Sequence, residues 1–109
     1  MPTRQQTVDR LQAALSLVGD AAIKKMFGEY GVYVDGIFIG IVSNDRFHLK
    51  PTPESQALAG ELKMAPAYKG AKPSFVVPLE SITNQTWFVD LVRTTMSALA
   101  RKKGKRRRP

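Results

Sequence analysis

The sequence predicts an α+β fold, an antiparallel sheet of about five strands in the order α-β-β-β-α-β-β-α with the helices mainly on one face. Two observations predict it. Between Met26 and Pro51, three apolar segments of strand length, Tyr30 to Val34, Ile37 to Val42 and Phe47 to Leu49, are separated only by Asp35-Gly36 and Asn44-Asp45. Asp-Gly is a strong hairpin signal because both central residues of a type I′ turn need φ > 0. Connections this short leave no room for the crossovers of a parallel sheet. On either side of this meander the apolar residues return at helical spacing, which places helices before and after it.

Taken in order, Thr3-Arg4-Gln5-Gln6 has the form of a capping box, and Val8, Leu11, Leu15 and Val18 form one helical stripe. Gly19 fits the C-cap of that helix, and Asp20 fits the cap of a short helical turn, Ala21 to Lys25, that delivers Ile23 to the core. Pairing across Asp35-Gly36 sets Val34 against Ile37, Val32 against Ile39 and Tyr30 against Ile41, with Gly31 opposite Gly40 on the other face. Both faces of this hairpin are therefore largely apolar. The next strand alternates, with Phe47 and Leu49 on one side and Arg46, His48 and Lys50 on the other. Which side meets water depends on whether the Asn44-Asp45 turn has two residues or three.

Pro51 and Pro53 end the meander. Thr52 is placed to cap a helix over 53–63 with Pro53 in its first turn and Ala57, Leu58 and Leu62 inward. A loop around Pro66 follows, then a loose hairpin over 68–78 turning at Gly70, whose Pro73 and Pro78 favour a sheet edge. Asn84 suits the cap of a closing helix with Phe88, Leu91, Val92, Thr95, Met96 and Leu99 on one wide stripe and Trp87 at its margin. This helix is expected to reach 101–103 and fray at Gly104, which divides the chain into a folded domain, 1–100, and a disordered basic tail, 101–109.

Met26-Phe27-Gly28, Gly31-Val32-Tyr33, Asp35-Gly36-Ile37-Phe38, Asp45-Arg46-Phe47 and Leu49-Lys50 resemble the signature of the N-terminal domain of the TfoX/Sxy family of competence regulators. The resemblance is clearest over this stretch and extends from the first helix to about Ala100. It implies the same order of elements and a part in transcriptional control of DNA uptake, here in a stand-alone copy without the C-terminal domain of the full-length regulators. Its glycines and aromatics identify a fold more than a chemistry. Three places depart from the pattern: His48 stands where the family usually has Tyr, Pro51-Thr52-Pro53 where an acid follows the lysine, and Ser74 to Pro78 where the family strand is richer in aromatics.

Composition bounds the rest. With 109 residues, 43% hydrophobic, the chain is sized for one domain with its own core. It has no cysteine, which excludes disulfides, thiolate metal sites and a cysteine nucleophile. No signal peptide or membrane-length apolar run is legible, so a cytoplasmic protein that does not enter a membrane is expected. Net charge is +8, but seven of the seventeen Lys and Arg fall in residues 101–108, so the body carries about +1. The basicity belongs to the C-terminal run.

Candidate chemistry is sparse. His48 is the single histidine, and with Arg46 and Lys50 beside it on its strand we expect an exposed side chain rather than a base or ligand. The carboxylates show no metal-ligand spacing, and Gly28-Glu29-Tyr30-Gly31 leads into a strand, so Gly28 is read as a bend rather than a nucleic-acid clamp. Tyr68, Lys69 and Lys72 join Arg46 and Lys50 as a basic surface only if the strand edges align.

No catalytic residue, cofactor or metal is assigned. The expected function is a non-enzymatic regulatory or accessory module, a scaffold for a protein partner. Its Arg101, Lys102, Lys103, Lys105, Arg106, Arg107 and Arg108 would contact DNA or RNA without sequence preference. The apolar second face of the hairpin also suggests a homodimer. Two alternatives stand beside this reading. One is a small enzyme or ligand-binding protein with a pocket between sheet and helices, lined by Thr86-Trp87-Phe88 and Tyr30 or Tyr33. The other is a structural homodimer with an inert tail.

Overall fold

A computed structural model describes residues 3–26, 29–78, 82 and 84–107, with the backbone alone at 26 and 102–107. The elements are α1 (Gln5–Leu15), β1 (Ala21–Met26), β2 (Glu29–Val34), β3 (Ile37–Ser43), β4 (Arg46–Leu49), α2 (Pro53–Ala59), β5 (Met64–Pro66), β6 (Pro73–Val77) and α3 (Gln85–Arg107). The strands form one antiparallel sheet in the spatial order β1-β2-β3-β4-β6-β5. The α+β class and the helix-strand order expected from the sequence hold, with six strands rather than five.

The added strand is β1. Ala21 to Lys25, read from the sequence as a helical turn, pairs in full with β2, from Ala21 opposite Val34 to Met26 opposite Glu29. The period of two is present in the residues: Ala21 and Ile23 pack on the core while Lys24, on the alternate face, is exposed. Gly28, read as a bend, lies outside the described residues.

Both tight turns are two residues long. Asp35 and Gly36 have φ of 51° and 79°, and Asn44 and Asp45 have 53° and 63°, the left-handed pairs a type I′ turn demands. The second turn sets Ser43 opposite Arg46 and Val42 opposite Phe47, so Phe47 and Leu49 face the core. His48 takes the opposite face.

The register of β2 on β3 differs from the simple ladder. Val34 meets Ile37 and Tyr33 meets Phe38, but Val32 then meets Gly40 and Tyr30 meets Val42, with a bulge between. Ile39 and Val42 are three residues apart and would fall on opposite faces of a regular strand. The extra residue turns both inward, and both are fully buried.

One core lies between sheet and helices. Leu11 and Leu15 of α1, Ala59 of α2, and Phe88, Leu91 and Val92 of α3 pack on Val32, Val34, Ile39, Val42, Phe47, Leu49, Phe75 and Val77. The rings of Phe47 and Phe88 meet edge to face, centroids 6.3 Å apart. All three helices contribute to this core, as expected.

Several element ends depart from the sequence reading. Helix α1 begins after Arg4, without a side-chain cap of its own, and Thr3 bonds instead to Glu29 and to the amide of Asp45. Ser16, not Gly19, is its C-cap. Helix α2 keeps its expected start, a capping box of Thr52 and Ser55 with proline in the first turn, but stops at Ala59, where Gly60 takes φ of 58°. Its buried residues are Ser55 and Ala59, while Ala57 is exposed. The segment 64–66, read as a loop, is edge strand β5, and β6 is interior. Pro73 is tolerated there because it is the strand's first residue. Asn84 caps α3 through its Oδ1, which accepts from the Trp87 amide at 3.4 Å.

Helix α3 does not stop at Gly104 but continues to Arg107. Lys and Arg are good helix formers and favour the negative C-terminal end, which offsets the roughly 1 kcal/mol cost of one glycine. Part of the run read as a disordered tail is thus helical, while Arg108 and Pro109 lie outside the described residues.

Candidate nucleic-acid interface

Register assigns the sheet's second face. Because Val32, Val34, Ile39, Val42, Phe47 and Leu49 turn inward, their strand neighbours Lys24, Tyr33, Phe38, Ile41, Arg46 and His48 turn outward. The helices pack on the core side, and α3 reaches this side of the sheet through Leu99, which lines the groove there.

A row of side chains crosses it. Tyr33 of β2 and Phe38 of β3 pair with ring centroids 5.2 Å apart and planes inclined at 52°. The Lys24 ammonium sits 5.4 Å from the Tyr33 ring centre, and the Lys50 ammonium 5.1 Å from that of Phe38. Exposed contacts of this kind contribute about 0.5–1 kcal/mol each. The order along the row is cation, ring, ring, cation.

Beside the row lies an open groove of about 830 Å³, with Tyr33, Phe38, Ile41, His48, Lys50, Tyr68 and Lys72 among its lining residues and no carboxylate among them. The β5–β6 hairpin supplies the far wall. The structure therefore brings Tyr68 and Lys72 together with Lys50, as edge alignment required, while Arg46 and Lys69 do not line the groove.

His48 corrects an expectation. It is 5% exposed rather than solvated, and its Nδ1 is buried with no hydrogen-bond partner. Burial pushes its pKa below the ordinary histidine value; a backbone hydrogen bond with Ala65 works the other way, and the charge of Arg46 adds to the lowering. The imidazole is neutral near pH 7. The neighbours of His48 across the sheet are Ile41 of β3 and Val76 of β6, and Ala65, in a strand not read from the sequence, supplies its backbone hydrogen-bond partner.

The basic run sits elsewhere. Arg101 donates to Glu54 of α2 at 2.6 Å, both side chains well exposed, so its guanidinium braces α3 against α2. Glu54 is held below the ordinary carboxylate range, first by its own backbone amide and then by Arg101. Lys102, Lys103, Lys105, Arg106 and Arg107 follow on α3, their side chains outside the described residues, and Arg108 lies beyond.

Of the pocket expected between sheet and helices, with Thr86-Trp87-Phe88 and Tyr30 or Tyr33 as its lining, the structure puts Tyr33 on the opposite side of the sheet from Phe88, while Tyr30 packs on the core side with it. Phe88 is buried against Phe47. Trp87 is occupied by a 2.7 Å hydrogen bond from its Nε1 to the Leu58 carbonyl, which ties α3 to α2. Among the described residues, no group of three or more His, Asp or Glu could hold a metal, and no helix is long and apolar enough to cross a membrane.

Lys24 was missed by sequence reading because its segment was taken as helical. The alternation of Ala21 and Ile23 with Ala22 and Lys24 was the available signal.

Comparison with known proteins gives a family and a relative of similar sequence. Over 77 residues, 71% of this chain, the sequence is 34% identical to a Spirochaeta aurantia protein named "uncharacterized 12.7 kDa protein in trpE 5'region". The match covers 66% of that relative, just under two thirds of its length. The family model of the TfoX N-terminal domain matches residues 13–99, which takes in the end of α1, the whole sheet, α2 and the core-forming part of α3. The chain belongs to the TfoX N-terminal domain family.

Proposed function

We propose that the chain is a non-enzymatic regulatory module of the competence-associated, transcription-linked kind that its family implies, working in the cytoplasm, and that the basic end of α3 gives it non-specific contact with nucleic acid. Family membership supports the regulatory part. The observation that carries the second part is the continuity of α3. Its Phe88, Leu91, Val92 and Ala98 are buried in the body, and the same helix runs on to Arg107.

A basic run on a helix anchored in the core moves with the domain, so phosphate contact there reports to whatever the body binds. Arg101 is the brace of this lever, through Glu54, and the residues from Lys102 onward are the contact group. Neutralising phosphates releases counterions, with roughly 0.9 units of log-log salt slope for each phosphate on duplex DNA. The six cations from Lys102 onward set a ceiling of about 5 units.

The experiment is duplex binding titrated across salt, for the full chain and for a full-length variant with Lys102, Lys103, Lys105, Arg106 and Arg107 changed to Gln. A steep slope that collapses in the variant supports the reading. Equal affinity and slope in the two proteins, or no binding by either at low salt, overturns it.

A further inference from the structure

We propose that the face of the sheet turned away from the core binds single-stranded nucleic acid, with unpaired bases stacked on Tyr33 and Phe38 and phosphates held by the lysines at the ends of that row. The inference goes beyond the basic end of α3 and does not depend on it.

Three independent observations carry it. The first is the row itself. Two aromatic rings from neighbouring strands lie side by side on an open face, 5.2 Å apart, and every nucleobase has a face that such rings can stack against. Each ring already attracts an ammonium. A stacked base gains more than the exposed cation contact that it replaces, and the displaced ammonium remains within reach of the flanking phosphate.

The second is charge. Lys24 and Lys50 bracket the rings, Lys72 lines the adjoining groove, and no carboxylate lines it. A second copy of the chain laid over this face would bring the same lysines to the interface, so the charge favours a polyanion over self-association. The third is His48. It lines the groove with an imidazole that is 5% exposed and has an unpartnered Nδ1, and a base edge brings the amine or imino donor such an atom lacks.

A single strand is specified over a duplex because paired bases are stacked on one another and present no free face to a flat aromatic surface. Tyr33 and Phe38 would then contribute salt-independent affinity, unlike the basic run of α3.

The test uses fluorescence anisotropy of labelled oligo-dT and oligo-U with the full chain, at a salt concentration where duplex binding is no longer measurable. Tyr33→Leu and Phe38→Leu keep apolar bulk, and circular dichroism checks their fold. The expected result is binding of the single strands that each substitution weakens roughly tenfold to hundredfold. In the unmodified protein, NMR shifts on adding oligonucleotide should fall on Tyr33, Phe38 and the His48 ring; the stronger of the two strands tells DNA from RNA.

Shifts confined to the end of α3, or affinity unchanged in both folded variants, overturn the proposal. So does a stable dimer that Phe38→Leu dissociates without altering oligonucleotide binding. Loss of duplex binding alone removes the α3 reading and leaves this one standing.

Discussion

The carboxylate of Asp45 accepts a hydrogen bond from the backbone amide of Arg4 at 2.8 Å, across 41 residues of sequence. It also accepts from the Thr7 hydroxyl at 2.9 Å and from the Arg4 guanidinium at 3.1 Å. Helix α1 thus receives its N-terminal cap from the β3–β4 turn. Past its other end, just before β1, Asp35 of the β2–β3 turn accepts from the Asp20 amide, and its own amide donates to the Asp20 carbonyl, each at 2.8 Å. Two left-handed aspartates hold the start of α1 and the α1–β1 connection against the sheet. Gly19 has its reason here, since a Cβ would lie 2.7 Å from an Asp35 carboxylate oxygen.

Asp45→Ala should therefore lower the urea midpoint and loosen α1, with Asp45→Asn intermediate. Hydrogen bonds from the Arg4 backbone and Thr7 hold Asp45 below its ordinary value of 3.8. A depressed carboxylate contributes stability that is complete above its unfolded value and lost as pH falls through its folded value. Urea midpoints in this acid range should fall less steeply in Asp45→Asn than in the unmodified chain. Parallel curves would dismiss the cap.

His48 gives a second pH dependence, in a separate range. Its folded pKa lies below the ordinary 6.5 because the ring is buried, so the unfolded chain takes up the proton first. Stability should be full above about 6.5 and decline as pH falls from there toward the folded value. His48→Gln should flatten the profile in that window, as followed by urea midpoints. A profile as steep as that of the unmodified chain would assign the dependence to another group.

Gly40 and Gly36 separate two reasons for glycine. A Cβ at Gly40 would sit 2.1 Å from the His48 carbonyl oxygen, so Gly40→Ala must push β3 and β4 apart, with a cost of at least about 1–3 kcal/mol. Gly36 has open space around it but φ of 79°, so Gly36→Ala costs the left-handed strain alone, about 1–2 kcal/mol. Chemical denaturation should rank the two variants in that order. Disturbed β4 amide signals should appear in Gly40→Ala only.

Trp87→Phe keeps most of the apolar contact and removes the bond to the Leu58 carbonyl. The expected loss is about 1 kcal/mol, with faster amide exchange at the end of α2. Phe88→Ala, by contrast, opens the centre of the core and should cost about 3–5 kcal/mol. Equal losses in the two variants would contradict the division between a tie at the margin and a filled centre.

The sequence by itself determined what neighbouring residues decide among themselves. Asp35-Gly36 and Asn44-Asp45 fix two tight turns through their tolerance of φ > 0, Thr52-Pro53 starts α2, and the stripe from Phe88 to Leu99 builds α3. These are properties of a few adjacent side chains and their own backbone. The glycines and aromatics of the meander were enough to point to the family.

What only the tertiary structure decided depends on partners far along the chain. Ala21 to Met26 is a strand because β2 offers an edge to pair with, although six residues alone carry little preference. The bulge at Ile39 arises because the core demands both Ile39 and Val42, which no local rule states. Lys24, Tyr33, Phe38 and Lys50 form one row only once four strands are in register, and His48 is buried only when β6 pairs with β4. Packing, not propensity, sets these positions, so the cap of α1 and the outward face of the sheet had no signature within any single stretch of sequence.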